Sequence, residues 1–243
     1  MIGTPRVHHR LTDSTNARAR ELAATGAPHG TLVTADEQAA GRGRQGRSWT
    51  APAGTALLMS LVLRDLGAVR ELLPLAAAVA VCEACEAVAP VRCRVKWPND
   101  VWIDGRKVAG ILIEGRPAEG WTVLGIGLNV STGTEDFPPD LRETATSLGL
   151  AGGGSQIAME AILPSVLDRL DERLDGPPAE VLKHWRGRDA LRGLVVRWTG
   201  GEGVAAGIED SGALLVDAGG GRLRLDAGEV HLSAAGPPPS PQN

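Results

Sequence analysis

The sequence AAGRGRQGRSW, residues Ala39–Trp49, has glycines spaced as in a dinucleotide-binding loop, and an acidic residue, Asp65, follows about twenty positions later. A Rossmann loop of that kind follows a strand directly and opens a helix whose N-terminus holds the pyrophosphate. Here the polar residues 36–38 separate the loop from the preceding apolar strand, and Arg47–Gly54 contains a proline and cannot form a helix. The stretch therefore indicates a different kind of anion-binding loop, one that connects two strands of a sheet.

Three arginines, Arg42, Arg44 and Arg47, determine the chemistry of this loop, and no acidic residue lies within it to neutralise them. Guanidinium groups suit bidentate binding of phosphate or carboxylate, and the glycines between them leave the backbone pliable. Because unpaired charge makes such a loop costly to order, we expect it to close when an anionic substrate binds. Trp49 offers a flat surface for a purine ring. A solvated basic loop, or one that binds single-stranded nucleic acid, fits the same residues.

The composition is that of a globular protein. The 243 residues are 43% hydrophobic and 22% charged, and the formal net charge of −4 argues against a surface made wholly for nucleic acid. The N-terminus lacks the apolar run of a secretory signal, and no apolar stretch is long enough to span a membrane. Three cysteines do not suggest a disulfide framework, and we expect the C-x-x-C of Cys82 and Cys85 to be packed thiols. A cytoplasmic protein is the expectation.

Hydrophobic periodicity predicts an α+β fold in two units. Residues 1–187 are predicted to form a larger unit of mixed helices and strands, and residues 188–235 a small all-β unit. The proline-rich residues 236–243 are predicted to be a disordered tail. The predicted strands of the larger unit are Val7–Leu11, Thr31–Ala35, Ala56–Leu63, Val91–Trp97, Val101–Asp104, Val108–Glu114 and Trp121–Val130, with a hairpin turn at Gly105-Arg106. The first predicted helix of this unit ends at Ala24. The others are Glu71–Val88, Gln156–Leu174, which follows a cap at Ser155, and Ala179–Arg186. A loop is predicted at Ser131–Ser155. The predicted strands of the small unit are Val195–Trp198, Val204–Ile208, Leu214–Val216, Arg222–Leu225 and Val230–Leu232.

Further polar residues lie at predicted strand ends, where site residues are common. In Lys96-Trp97-Pro98-Asn99-Asp100 the proline stops a strand and places Asp100 at a turn. Lys107 begins a strand that becomes wholly apolar, so its ammonium can lie at a cavity mouth. Only three of the 25 basic residues are lysine, and two of them fall here, which raises the question of whether a compact ammonium is needed; chance accounts for the same pattern. Asn129 can bind an adenine edge, although an asparagine at a strand end is more often structural.

Five motifs in order resemble those of the biotin protein ligases. They are D-S-T-N from Asp13, E-Q-A-A-G-R-G-R-Q-G-R-S-W from Glu37, K-W-P-N-D from Lys96, K-V-A-G-I-L-I-E from Lys107 and G-I-G-L-N-V from Gly125. The resemblance implies a mixed sheet flanked by helices, related to class II aminoacyl-tRNA synthetase cores, followed by an SH3-like barrel. It also implies a two-step reaction. The biotin carboxylate attacks the α-phosphate of Mg–ATP to give biotinyl-5′-AMP, and a lysine of a biotin carboxyl carrier domain then takes the biotinyl group as an amide.

The resemblance also implies a role for individual residues. Lys107, Arg44 and Asp100 are the implied catalytic residues: Lys107 bridges the biotin carboxylate and the α-phosphate, Arg44 binds phosphate as the loop orders, and Asp100 positions the incoming lysine. Ser14, Thr15 and Gln38 are implied to contact the ureido ring of biotin, and Arg42 to bind biotin and phosphate. Trp49 and Asn129 are placed on the adenosine side, Lys96 near phosphate or the strand end, and Gly110 where the ligand approaches the strand. The remaining implied binding residues are Asn16, Gly41, Gly43, Gly46, Arg47 and Ile111.

Two rival functions stay open from the sequence alone. A lipoate-protein ligase or octanoyltransferase shares the fold, although the arginine loop together with K-W-P-N-D favours biotin. A non-catalytic protein could use Arg42–Arg47 to bind nucleic acid. Bifunctional biotin ligases carry an N-terminal helix-turn-helix domain; here the motifs begin at Asp13, so we predict no sequence-specific DNA binding. ATP, Mg²⁺ and biotin are the implied ligands, no protein metal ligands are predicted, and a homodimer is left open.

Overall fold

The computed structural model describes residues 2–154, 157–226, 228 and 230–232. The strands are β1 (Arg6–Thr12), β2 (Leu32–Gln38), β3 (Ala56–Leu63), β4 (Cys93–Lys96), β5 (Asp100–Ile103), β6 (Arg106–Arg116), β7 (Trp121–Asn129), β8 (Val195–Trp198), β9 (Gly201–Ile208), β10 (Leu214–Ala218), β11 (Gly221–Leu225) and β12 (His231–Leu232). The helices are α1 (Thr15–Ala24), α2 (Leu73–Val88), α3 (Leu148–Ala151), α4 (Met159–Asp175) and α5 (Pro178–Arg186). None of the helices within these ranges is both long and apolar enough to cross a membrane.

Seven strands form the larger sheet, in the order β1-β2-β3-β7-β6-β5-β4. β1 and β2 run parallel, whereas the five other neighbouring pairs in this sheet are antiparallel. All eight residues of β3 are buried, which is typical of a central strand covered on both faces. The mixed sheet flanked by helices that the sequence predicts is therefore confirmed.

Helices cover both faces of this sheet. Successive side chains of β3 point to opposite faces, so Met59 and Leu61 pack into the core with α2, while Ser60 and Val62 face α1. α2 begins with a proline in its first turn and is apolar on nearly every side, because it lies between the sheet and helices α4 and α5. The α1 face is the one that carries polar side chains into the interior.

The second sheet is the predicted all-β unit, with the order β11-β10-β9-β8-β12 and antiparallel neighbours. The chain that leads into it extends the larger sheet at β4: Val95 N–H donates to Arg188 O at 2.8 Å, and Ala190 N–H donates to Val95 O at 2.9 Å. The indole N–H of Trp97 also donates to Gly212 O at 3.0 Å. The K-W-P-N-D turn is thus tied to both units. Residues 233–235 and the proline-rich residues 236–243 lie outside the described ranges.

The cysteine prediction is confirmed. Cys82 and Cys85 on α2 and Cys93 on β4 are free and buried. Burial raises the pKa of the Cys82 thiol well above its ordinary value, so this thiol stays protonated. Among the described residues no three His, Cys, Asp or Glu side chains form a group that could hold a metal ion.

Three local predictions differ from the structure. The β5–β6 turn is centred on Asp104 and Gly105, with φ of 49° and 76°, rather than on Gly105-Arg106, because a tight hairpin turn needs both central residues in the left-handed region. The predicted loop at Ser131–Ser155 contains α3, which the Ser147 side chain caps by accepting from Leu150 N–H at 3.2 Å. α4 begins at Met159; the predicted start at Ser155 and Gln156 lies outside the described residues.

Candidate functional site

A cavity of ≈ 190 Å³ opens between the start of α1, the arginine loop and strands β6 and β7. Four predicted site residues reach it from the α1 side, namely Ser14, Thr15, Asn16 and Gln38. The loop contributes Arg42, Gly43, Arg44, Arg47 and Trp49. Strands β6 and β7 contribute Lys107, Gly110, Ile111 and Asn129. The chain therefore brings the predicted residues of four separate motifs to one cavity.

Four other predicted site residues do not line this cavity. Lys96 and Asp100 line a smaller adjoining pocket of ≈ 10 Å³, and Lys96 Nζ lies 5.4 Å from the centre of the Trp102 ring. Gly41 is required by close packing, since a Cβ there would lie 2.3 Å from the backbone oxygen of Trp49. Gly46 supplies a left-handed turn residue with φ of 75°. The two glycines shape the loop rather than face the cavity.

A buried polar network lies at the α1 end of the cavity. Gln38 Oε1 accepts from Thr15 N–H at 2.7 Å and from the Thr15 hydroxyl at 3.0 Å. Ser60 Oγ lies 2.9 Å from Thr15 Oγ1 and 2.6 Å from Asn16 Oδ1. Ser14 occupies the N-cap position of α1, but its side chain makes no capping hydrogen bond. The motif instead places polar groups where a ligand with amide-like donors and acceptors could bind.

Asp13 takes over part of the capping role. Its Oδ1 accepts from Ser14 N–H at 2.8 Å and from Arg18 Nε at 3.0 Å. These hydrogen bonds, above all the one from the Arg18 side chain, hold the pKa of Asp13 well below its ordinary value. The Ser14 hydroxyl is left for the cavity.

The arginine loop is held by contacts with distant parts of the chain. Arg44 donates to Asn99 Oδ1 at 3.0 Å and to Gly228 O at 3.0 Å, which joins the loop to the K-W-P-N-D turn and to the C-terminal unit. Arg42 NH1 lies 3.8 Å from Glu114 Oε1. The expectation of unpaired charge in this loop is therefore wrong for Arg42, because the counter-charge comes from β6 and no local inspection of the loop could reveal it.

Trp49 lies flat against the sheet. A Cβ on Gly127 would lie 2.5 Å from indole Cε2, and one on Gly110 would lie 3.1 Å from Cζ3. The indole N–H is buried without a hydrogen-bond partner among the described residues, and Lys107 Nζ lies 5.7 Å from the ring centre. The ring thus forms one wall of the cavity next to a cation, as a surface for a planar ligand group would.

Lys107 is the cation at the centre of the site. Its Nζ lies 2.6 Å from Asp100 Oδ1, and Asp100 is only 8% exposed. The backbone is fixed as well, because Lys107 N–H donates to Thr144 O at 2.7 Å and Thr146 N–H donates to Lys107 O at 2.8 Å. Asn129 Nδ2 donates to Thr146 O at 3.0 Å and so holds the same segment. A lysine with a rigid backbone and a single carboxylate partner can stabilise negative charge that develops in the cavity.

Comparisons with known proteins agree with this geometry. Residues 8–131 match the biotin/lipoate A/B protein ligase family, and residues 201–233 match the biotin protein ligase C-terminal domain. A Mycobacterium tuberculosis biotin–[acetyl-CoA-carboxylase] ligase is 36% identical over 234 residues, covering 91% of this chain and 86% of that protein. The chain belongs to the biotin protein ligase family.

Other members of the family also align with most of this chain. The Bacillus subtilis bifunctional ligase/repressor BirA is 34% identical over 245 residues, covering 96% of this chain and 75% of that protein. A structure of the Aquifex aeolicus biotin protein ligase in complex with biotin and ATP superposes with a TM-score of 0.83 at 28% identity, covering 96% of this chain and 100% of that one. The fold class and the family inferred from the five motifs are confirmed.

Several residues in and around the cavity are not evident from the motifs. Ser60 lies in an otherwise apolar strand, and Glu114 ends a motif without an obvious partner. Part of the cavity wall comes from Phe137, Leu141 and Thr144, in the stretch predicted to be a loop. The G-I-G pattern of β7 does indicate a site in the sequence, because two glycines two residues apart lie on one face of the strand. A Cβ on Gly125 would lie 2.0 Å from Asn16 Oδ1.

Proposed function

We propose that this cavity activates biotin with Mg–ATP and that the protein then transfers the biotinyl group to a lysine of a carboxylase carrier domain. In the first step a biotin carboxylate oxygen bonds to the α-phosphorus, and the bond to the β-phosphate oxygen breaks to release pyrophosphate. In the second step the carrier amine bonds to the acyl carbon, AMP leaves, and the amine loses its proton. The observation that carries the proposal is that Lys107, Trp49 and the loop arginines line one cavity.

The polar end of the cavity suits the ureido ring of biotin. That ring presents N–H donors and a carbonyl acceptor. Thr15 and Gln38 offer hydroxyl and amide groups of one network, and the Ser14 hydroxyl lies at the same cavity. Arg42 and Arg44 line the same cavity, and their guanidinium groups suit a carboxylate or a phosphate. Trp49 and Asn129 would then hold the adenosine side.

In this proposal Lys107 acts in the first step and Asp100 in the second. The Lys107 ammonium can bridge the biotin carboxylate and the α-phosphate, whose negative charge is shared in the transition state. When Lys107 turns toward the substrate, Asp100 loses its partner at 2.6 Å and can pair with the ammonium of the incoming carrier lysine. Mg²⁺ enters as part of the nucleotide substrate, with phosphate oxygens as its main ligands.

Incubation of the protein with ATP, biotin and a carrier domain tests this function. We expect release of pyrophosphate that depends on biotin and one biotinyl group on the carrier lysine. Replacement of biotin by lipoate or octanoate tests the rival ligase activity, and a labelled single-stranded oligonucleotide tests the binding alternative. Absence of any biotinylated lysine, with a carrier that a known ligase does modify, would contradict the proposal. A cytoplasmic location and the lack of DNA binding stay predictions, and a homodimer stays open.

A further inference from the structure

We propose that Glu114 is a positioning residue of the biotin site, an inference that rests on the function proposed for the cavity. Glu114 is not among the residues that line the cavity, and its side chain is 24% exposed. Its carboxylate nonetheless contacts groups from two other segments. Oε2 accepts from Asn16 Nδ2 at 2.8 Å, Oε1 accepts from Arg20 NH1 at 3.2 Å, and Arg42 NH1 lies 3.8 Å from Oε1.

The carboxylate determines which way the Asn16 amide points. An ionised carboxylate only accepts hydrogen bonds, so the NH₂ group of Asn16 must face Glu114 and its Oδ1 must face Ser60. Asn16 is 4% exposed, and Gly125 leaves no room behind it, since a Cβ there would lie 2.0 Å from Oδ1. The Asn16 amide is therefore fixed by Glu114 at its nitrogen, by Ser60 at its oxygen and by the backbone at Gly125.

This orientation sets the direction of the hydrogen bonds that lead into the cavity. Ser60 has one hydroxyl proton, and Asn16 Oδ1, at 2.6 Å, can only accept it. The Thr15 proton then has two acceptors, Ser60 Oγ at 2.9 Å and Gln38 Oε1 at 3.0 Å, and both belong to the protein. Thr15, which lines the cavity, consequently presents an oxygen lone pair to the ligand, as the N–H donors of a ureido ring require.

Glu114 also acts on the arginine loop. Arg42 lines the cavity and its side chain is 52% exposed, so the carboxylate of Glu114 offsets part of the positive charge that the loop concentrates there. One side chain on β6 thereby serves both the polar end of the cavity, through Asn16, and the anion-binding loop, through Arg42.

Glu114→Gln and Glu114→Asp separate these effects. Glutamine keeps the size but adds a donor, so Asn16 can reverse and the charge beside Arg42 is lost. Aspartate keeps the charge and accepts only. Glu119→Gln is the matched control, because Glu119 lies nearby at the β6–β7 turn, pairs with Arg116 at 2.8 Å and does not reach the cavity.

Steady-state adenylation and trypsin cleavage of the loop in ligand-free protein are the measurements. For Glu114→Gln we expect the KM for biotin to rise roughly tenfold, while kcat and the KM for ATP change little. We expect cleavage after Arg42 to be roughly threefold faster at an unchanged thermal midpoint. Glu114→Asp should restore most of the loop protection, and Glu119→Gln should behave as wild type.

An unchanged KM for biotin together with unchanged cleavage would overturn the inference, and so would an equal fall in kcat and rise in both KM values. If the wild-type protein makes no adenylate at all, the proposed function fails instead. The cleavage of ligand-free protein then still decides whether Glu114 holds the loop, because that measurement needs no substrate.

Discussion

Trp49 lies so close to Gly127 that a Cβ at position 127 would be 2.5 Å from indole Cε2. An aromatic ring can approach a strand this closely only where the strand has no side chain, and Gly110 on the neighbouring strand provides a second such place. The two glycines are therefore as much part of the proposed adenine wall as the tryptophan is.

Gly127→Ala should displace Trp49. We expect the free energy of unfolding to fall by about 1–3 kcal/mol, because the added methyl overlaps a ring with little room to move, and adenylation to fall with it. Gly219→Ala is the control, since a Cβ at position 219 meets no atom within 4 Å. Urea unfolding and an adenylation assay check both variants; wild-type activity in Gly127→Ala would show that the ring position does not matter.

Lys107→Ala should lose adenylate formation by about 100-fold or more while the protein stays folded, because no other ammonium lines the cavity in the described part of the chain. Lys183→Ala is the matched control: Lys183 is an exposed lysine that pairs with Glu180 at 3.1 Å on α5. Quenched-flow measurement of biotinyl-AMP distinguishes the two, with thermal unfolding as the folding check. Comparable rates for the two variants would remove Lys107 from the proposed mechanism.

Asp100→Asn should affect the second step more than the first. The variant leaves Lys107 free to meet the substrate but cannot pair with the carrier ammonium, so we expect transfer from preformed adenylate to slow by about 100-fold and adenylate formation to change much less. Single-turnover reactions started with or without the carrier domain measure the two steps separately. Equal reductions in the rates of both steps would show that Asp100 acts only by holding Lys107 in position.

Asp189 predicts a pH dependence of stability. Burial raises the pKa of this carboxyl above its ordinary value of 3.8, although Leu191 N–H donates to Oδ1 at 2.8 Å. Between pH 3.8 and the folded pKa, the folded state therefore binds more protons than the unfolded state. The free-energy cost of burying the charged carboxylate is absent below the unfolded pKa, and it reduces the stability of the fold as pH rises through the folded pKa. We expect Asp189→Asn to raise the thermal midpoint at pH 7 relative to wild type and to lose that advantage in acid.

A variant with the opposite sign serves as the control for this pH effect. The Arg222 side chain lowers the pKa of the exposed Asp217 carboxyl, so that pair adds stability above the unfolded pKa and loses it as pH falls through the folded one. Asp217→Asn should accordingly lower the midpoint at pH 7 and not in acid. Parallel trends in the two variants would contradict the assignment for Asp189.

Trp97→Phe tests the tie between the K-W-P-N-D turn and the C-terminal sheet. Loss of the hydrogen bond from Trp97 Nε1 to Gly212 O should reduce the free energy of unfolding by about 1 kcal/mol. Trp102→Phe is the comparison, because the Trp102 indole N–H has no acceptor among the described residues. Urea titration of both variants checks the difference; a larger loss in Trp102→Phe would count against the tie.

Much of this protein could be predicted from the sequence because its site motifs are local. The apolar strand β3, which is buried along its whole length, and the apolar run of α2 identify the sheet and the helix that covers it, and the glycine–arginine loop predicts an anion site. What the sequence could not reveal are contacts between distant segments. Glu114 beside Arg42, and Ser60 beside Asn16, depend on strand register, and a shift by one residue would turn either side chain to the other face.

The wall formed by Phe137 and Leu141 was missed for a related reason. Polar and proline-rich composition indicates a loop, but the position of that loop depends on backbone hydrogen bonds to Lys107 that periodicity does not report. Ser14 shows a different case: it lies at the N-cap of α1, yet its hydroxyl makes no capping hydrogen bond and lies at the cavity.

The central claim is that this cavity forms biotinyl-5′-AMP, and a single-turnover reaction with α-labelled ATP tests it most directly. The account predicts that label moves into a biotin adenylate only when biotin is present, and that a carrier domain then discharges it as AMP with one biotinyl amide on a lysine. Formation of no biotin-dependent adenylate by the folded protein, or equal adenylation of lipoate, would contradict it.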